Sequence, residues 1–144
     1  MKAERIKFTT DMKYTTENSN VIFIAVNTPP VLVGSADLHF VLEVAKNIGK
    51  YMNDYKVVVD KSTVSVGIGK LVRETIQKEL DDRKEKFEFD IVSNPEFLRE
   101  GKTVGACLKP DRVIIGTESA KAKEIIKKVY DVLFINEIAL LAEK

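Results

Sequence analysis

Two glutamates, Glu96 and Glu100, stand four residues apart in the stretch "SNPEFLREG" (93–101), which follows an apolar run and an Asn-Pro break. That spacing is open to two readings. The pair could do general acid/base chemistry, or it could be the acidic first turn of a solvent-facing helix. Ser62 and Thr63 place two hydroxyls directly after the run "KVVVD", where helix capping competes with a functional role. A third apolar run ends in "VNTPP", Val26, Asn27, Thr28, Pro29 and Pro30, whose two prolines make a stiff turn.

Other chemistry is thin. The chain has one histidine and one cysteine, too few for a zinc site of the usual spacing. His39 lies in "DLHFVLEVAKNIGKYM", where Leu38, Val41, Leu42, Ala45 and Ile48 define the apolar face, so His39 is expected on the helix surface. Cys107, in "GKTVGACLKPD", has no basic partner identifiable from sequence that would make it a reactive thiol, and it reads as a structural or adventitious one. Gly67-Ile68-Gly69 resembles the start of a dinucleotide fingerprint. The third small residue would fall at position 72, which is Val72, and no P-loop spacing is present, so these glycines read as easing entry into a helix.

A net charge of +1 points away from nucleic acid and anionic membranes as partners. No apolar stretch reaches the roughly 18–20 residues of a membrane span, and none has the flanks of a signal peptide. One cysteine makes no internal disulfide, which fits a reducing, cytoplasmic setting.

The elements that must position these residues follow from hydrophobic periodicity. "VIFIAV", "KVVVD", "FEFDIVS" and "DRVIIGT" are unalternating β-prone runs of the kind buried on both faces of a parallel sheet. Helical periods run through "SADLHFVLEVAKNIGKYM" (capped by Ser35 or Asp37), "GIGKLVRETIQKELDDRKEK" and "SAKAKEIIKKVYDVLF", with Ser119 near the start of the last and more helix in "INEIALLAEK". Upstream, "IKFTTD" suits a short edge strand and "MKYTTENSN" a weak helix or turn. The order predicts one α/β domain with an open, mostly parallel sheet flanked by helices. In such sheets the loops after the strands share one edge, where ligands bind, and here they are "NTPP", "KST" and "NPEFLREG".

Five blocks, "VIFIAVNTPP", "GSADLHFVLEVAKNIG", "YKVVVDKSTVSVG", "FDIVSNPEFLREG" and "KPDRVIIGT", occur in one order at close spacing. Together they resemble the UDP-glucose/GDP-mannose dehydrogenase family, nearest to its UDP-glucose branch, from about Ile6 to Phe134. The resemblance implies a partial Rossmann-like NAD domain over 1–134 and a remnant of the central inter-domain helix over 135–144. It also implies oxidation of a sugar C6 alcohol to a carboxylate, through two hydride transfers to NAD with a cysteine thioester between them. Carried over by motif, Val26, Asn27, Thr28, Pro29 and Pro30 would line the NAD site. Ser62, Thr63 and Val64 would lie near the nicotinamide end. Glu96 would be the general base, with Thr63 holding the water that hydrolyses the thioester. Phe97, Leu98 and Arg99, with Glu96 and Glu100, would contact the UDP-sugar, and Glu100 would also contact NAD.

The resemblance is incomplete. The 144 residues hold neither the family's glycine-rich pyrophosphate loop nor its "CFPKD"-type segment with the nucleophilic cysteine, and Cys107 lies in the wrong block for that role. "VYDVLF" runs straight into "INEIALLAEK", without the stretch that bears a catalytic lysine and asparagine. Ser65 stands where proline is usual, and "TVGACLKPD" departs from the family's acidic loop. The expectation is a truncated dehydrogenase that does not turn over alone. With the family's first strand missing, the strand "VIFIAV" should present a bare apolar edge open to self-association.

Overall fold

A computed structural model describes residues 6–29, 37–61, 67–95 and 113–133. Its elements are α1 (Met12–Glu17), β1 (Val21–Ile24), α2 (His39–Tyr51), β2 (Lys56–Asp60), α3 (Ile68–Asp82), β3 (Phe89–Ser93) and α4 (Ala120–Leu133). The strands form a parallel sheet in the order β1-β2-β3, with Val21 beside Val57 and Val57 beside Asp90. This is the α/β architecture expected from the sequence.

β2 is the centre, and all five of its residues are buried. Val58 faces a core built with Ile24, Val41, Ala45, Ile48, Val72, Ile76 and Leu80, between the sheet and helices α2 and α3. Val57 and Val59 face the other way, onto Val92 and the α4 residues Ala122, Ile126 and Tyr130. The unalternating run of valines is thus explained by two cores that share one strand. Both crossover helices lie on the same face, as a constant crossover hand requires when a sheet grows in one direction.

α1 is short but capped: the Asp11 carboxylate accepts from the Tyr14 N–H at 3.0 Å. Upstream of it, no strand forms in residues 6–11, where "IKFTTD" suited one. The Thr9 hydroxyl there accepts from the Asp11 N–H at 3.0 Å. The N-cap of α2 is Leu38, without a side-chain cap bond, rather than Asp37; Asp37, one residue earlier, accepts from the His39 N–H at 2.9 Å, and Ser35 lies outside the described residues. His39 is exposed, as its place opposite the apolar stripe predicts.

α3 stops at Asp82, earlier than its periodicity suggests. The Lys84 N–H donates to the Asp81 carbonyl and the Glu85 N–H to the Leu80 carbonyl, a Schellman ending with Lys84 in the left-handed position at φ 58°. Arg83 then reaches across to donate to the carbonyls of Gly49 (2.8 Å) and Met52 (3.1 Å), placing its charge at the negative end of α2. Gly49 lets the two helices touch: a Cβ there would sit 2.8 Å from both the Ile76 carbonyl oxygen and the Glu79 Cβ.

"DRVIIGT" does not continue the ladder as a fourth strand. Within its described part, Ser93 and Gly116 form one isolated antiparallel bridge, exchanging two bonds of 2.8 Å. Side chains take the adjacent carbonyls: Asn94 Nδ2 donates to Ile114 O at 2.8 Å, and the Thr117 hydroxyl to Ile91 O at 3.2 Å. The chain then enters α4, where Ser119 Oγ accepts from the Ala122 N–H at 3.2 Å. β1 has a single strand neighbour among the described residues, and Phe23 on it is 38% exposed.

Two backbone substitutions test these joints. Gly49→Ala should lower stability by about 1–3 kcal/mol through overpacking. Lys84→Gly should raise it by about 1 kcal/mol by relieving the left-handed residue. Urea midpoints of the two variants should move in opposite directions.

Candidate functional site at the strand ends

The carboxyl ends of the three strands are joined just beyond the ladder. Lys61 N–H donates to Ile24 O at 3.0 Å, and Asn94 N–H donates to Asp60 O at 2.9 Å. The loops after β1, β2 and β3 therefore leave from one line. Beyond β1, Val26 is half-buried against the α2/α3 core, Asn27 and Pro29 are exposed and Thr28 is half-buried. The Pro29 carbonyl accepts from the Asp37 N–H at 2.9 Å, which ties the far end of this loop to the start of α2. An apolar wall with an amide and a hydroxyl beside it is a donor set that fits one side of a dinucleotide.

Val26, Asn27, Thr28 and Pro29 are thus placed at the edge where the sequence put them. Pro30, Ser62, Thr63, Val64, Glu96, Phe97, Leu98, Arg99 and Glu100 lie outside the described residues, as does Cys107. The structure describes the chain as far as Lys61 after β2 and as far as Pro95 after β3.

Two residues at this edge were not singled out from sequence. Asn94 is buried, 2% exposed, one step past β3. Besides its backbone bond to Asp60 and its amide bond to Ile114, its Oδ1 accepts from the Tyr130 hydroxyl of α4. The signal for Asn94 was its place between a strand and a proline. Tyr130 was hidden, because its spacing in α4 is that of a core residue. Asp60, also buried, closes β2 at the same edge.

The opposite end of the sheet carries a second polar cluster. The hydroxyls of Tyr55 (2.6 Å) and Ser119 (2.7 Å) both donate to Asp90 Oδ2, and the Lys121 ammonium sits 3.4 Å above the centre of the Tyr55 ring. Burial, then the bond to Asp90 and its charge, push the Tyr55 hydroxyl well above its ordinary value. Beside it Lys56, only 1% exposed, has its amine pulled down by burial, partly offset by the charges of Asp54 and Glu17. Among the described residues no group of three or more His, Cys, Asp or Glu could hold a metal ion, and no helix is long and apolar enough to cross a membrane.

The match to known proteins decides what this edge belongs to. Residues 1–134 match the model of the UDP-glucose/GDP-mannose dehydrogenase family, NAD binding domain. The chain belongs to this family. It is 46% identical over 127 residues to the UDP-glucose 6-dehydrogenase TuaD of Bacillus subtilis, covering 88% of this chain and 27% of that protein. With the UDP-glucose 6-dehydrogenase of Pseudomonas aeruginosa it shares 42% over 130 residues, 90% of this chain and 29% of the relative. Among solved structures, a UDP-glucose dehydrogenase from the archaeon Pyrobaculum islandicum superposes with a TM-score of 0.81 at 33% identity, over 93% of this chain and 31% of that one. The chain thus spans less than a third of the length of these relatives, and its sheet and helices are part of a Rossmann-like dehydrogenase domain.

The Tyr55 cluster gives a pH dependence. The folded chain holds the phenolic proton more tightly than the unfolded chain, whose tyrosine titrates near 10. This contribution is complete below about pH 10 and is lost as pH rises beyond it. Tyr55→Phe should therefore be less stable at pH 8 by about 1–2 kcal/mol. The gap to wild type should narrow above pH 10, as read from urea midpoints between pH 8 and 11.

Proposed function

We propose that this chain is a segment of an NAD-dependent UDP-glucose 6-dehydrogenase, the enzyme class that oxidises the sugar C6 alcohol of UDP-glucose to the carboxylate of UDP-glucuronate. The observation that carries the reading is the family match over residues 1–134, together with the strand-end edge from which Val26 to Pro29 depart. NAD supplies the hydride acceptor in such chemistry. Val26 to Pro30 would form a wall of its site, with Ser62, Thr63 and Val64 near the nicotinamide end and Glu100 in contact.

Glu96, two residues past the buried Asn94, would act as general base. A carboxylate partly desolvated by cofactor and sugar has its proton affinity raised toward the working pH, which suits that task. Thr63 would orient the water that hydrolyses the thioester, and Phe97, Leu98 and Arg99 would hold the UDP-sugar. The protein is read as cytoplasmic. No pyrophosphate loop and no nucleophilic cysteine of the family's type are found in the 144 residues, so the chain alone would not turn over.

Calorimetric titration with NAD, with and without UDP-glucose, tests this. The expected result is NAD binding weaker than about 1 mM, the level at which binding is worth only about 4 kcal/mol. Micromolar NAD binding by the chain alone would show that its cofactor site is complete and would sink the reading of a partial one.

A second reading, a non-catalytic interaction module, rests on β1. This strand lies at the edge of the sheet among the described residues and carries the exposed Phe23, so self-association through that edge is its natural form. Light scattering should then report a dimer that Phe23→Lys weakens, and a clean monomer at high concentration would remove this reading.

A further inference from the structure

We infer that Tyr130 is a positioning residue for the loop after β3: through Asn94 it fixes the point from which "PEFLREG" departs. The inference rests on the proposed role of that loop in the nucleotide-sugar site and adds to it a residue from a helix on the far side of the sheet from α2 and α3.

Asn94 stands directly before this stretch, and three of its polar groups are held by three different parts of the chain. Its N–H donates to Asp60 O at the end of β2, at 2.9 Å. Its Nδ2 donates to Ile114 O at 2.8 Å, in the returning segment before α4. Its Oδ1 accepts from the Tyr130 hydroxyl, in the third turn of α4. The side chain is 2% exposed, so water offers little replacement for a lost partner, and a buried polar group without its bond is costly. Pro95 follows at once, and its ring restricts the backbone of Asn94 to extended conformations. Anchoring Asn94 at three points and restricting its backbone leaves one direction of exit from β3.

The Tyr130 ring is packed in the core with Val57, Val59, Val92, Ala122 and Ile126, and its own position is set by that packing. The hydroxyl adds little to the core itself. What it adds is a reference point, rigidly tied to α4, against which the asparagine is set. A hydroxyl that served packing alone could be removed without consequence for the strand end.

The test uses the full chain without ligand, so it is independent of whether NAD or UDP-glucose binds. Tyr130→Phe keeps the ring and removes only the hydroxyl. Tyr55→Phe makes the same change at the other end of the sheet and serves as control. In Tyr130→Phe the Asn94 amide should exchange with solvent about tenfold faster, the loss of one hydrogen bond. The amide resonances of residues 96–101 should also shift beyond anything in Tyr55→Phe. If both readouts stay at wild-type values while the urea midpoint falls, Tyr130 is a packing residue and the inference is overturned. Loop resonances that move equally in the two variants would overturn it as well. Failure of the calorimetric titration would count against the functional reading and leave this result standing.

Discussion

The burial of β2 on both faces and along both edges is the constraint on which the rest depends. Three consecutive valines, each worth roughly 1.5–3 kcal/mol when fully buried, need apolar cover above and below the sheet. Their backbone groups need partners left and right, since an unpaired buried amide or carbonyl costs as much as a lost bond. β1 and β3 satisfy the edges, α2 and α3 cover one face, and α4 covers the other. With the strand enclosed in this way, its two ends are where chemistry can be presented.

The two ends are held by side chains, and α4 links them. Ser119 at its start is bonded to Asp90 near the beginning of β3, and Tyr130 is bonded to Asn94 just past the end of β3. From Ser119 to Tyr130 a helix rises about 16 Å, close to the roughly 13 Å that β3 covers from Asp90 to Asn94. The helix therefore lies along the strand in the same direction, clamped at both ends by polar contacts and between them by Ala122 and Ile126. Hydrophobic packing alone would permit some sliding along a row of valines, whereas two directional bonds at this separation select one register.

What was legible in the sequence was whatever periodicity encodes. The valine run of β2, the apolar stripes of α2 and α3 and the exposed place of His39 all follow from alternation between burial and solvent. The positions of Val26 to Pro29 at the strand ends followed from strand order. What escaped was set by long-range partners. "DRVIIGT" has the composition of a strand, but Asn94 and Thr117 use side chains where further backbone rungs would have formed. α3 ends early because of a left-handed lysine, a residue type that gives no warning of such a turn. Tyr130 looked like any core aromatic, since nothing local announces that its hydroxyl meets an asparagine 36 positions away.

One backbone detail reaches furthest. The bonds from Lys61 to Ile24 and from Asn94 to Asp60 run from residues just past β2 and β3 to the last residues of β1 and β2, so they tie the three exits to one another. A loop that starts from a fixed stump can be lengthened, shortened or exchanged without moving its neighbours' starting points. The sheet end thus behaves as a socket board, on which one loop can drift in evolution while the others keep their aim. Exchanging such a segment would leave the frame beneath it intact.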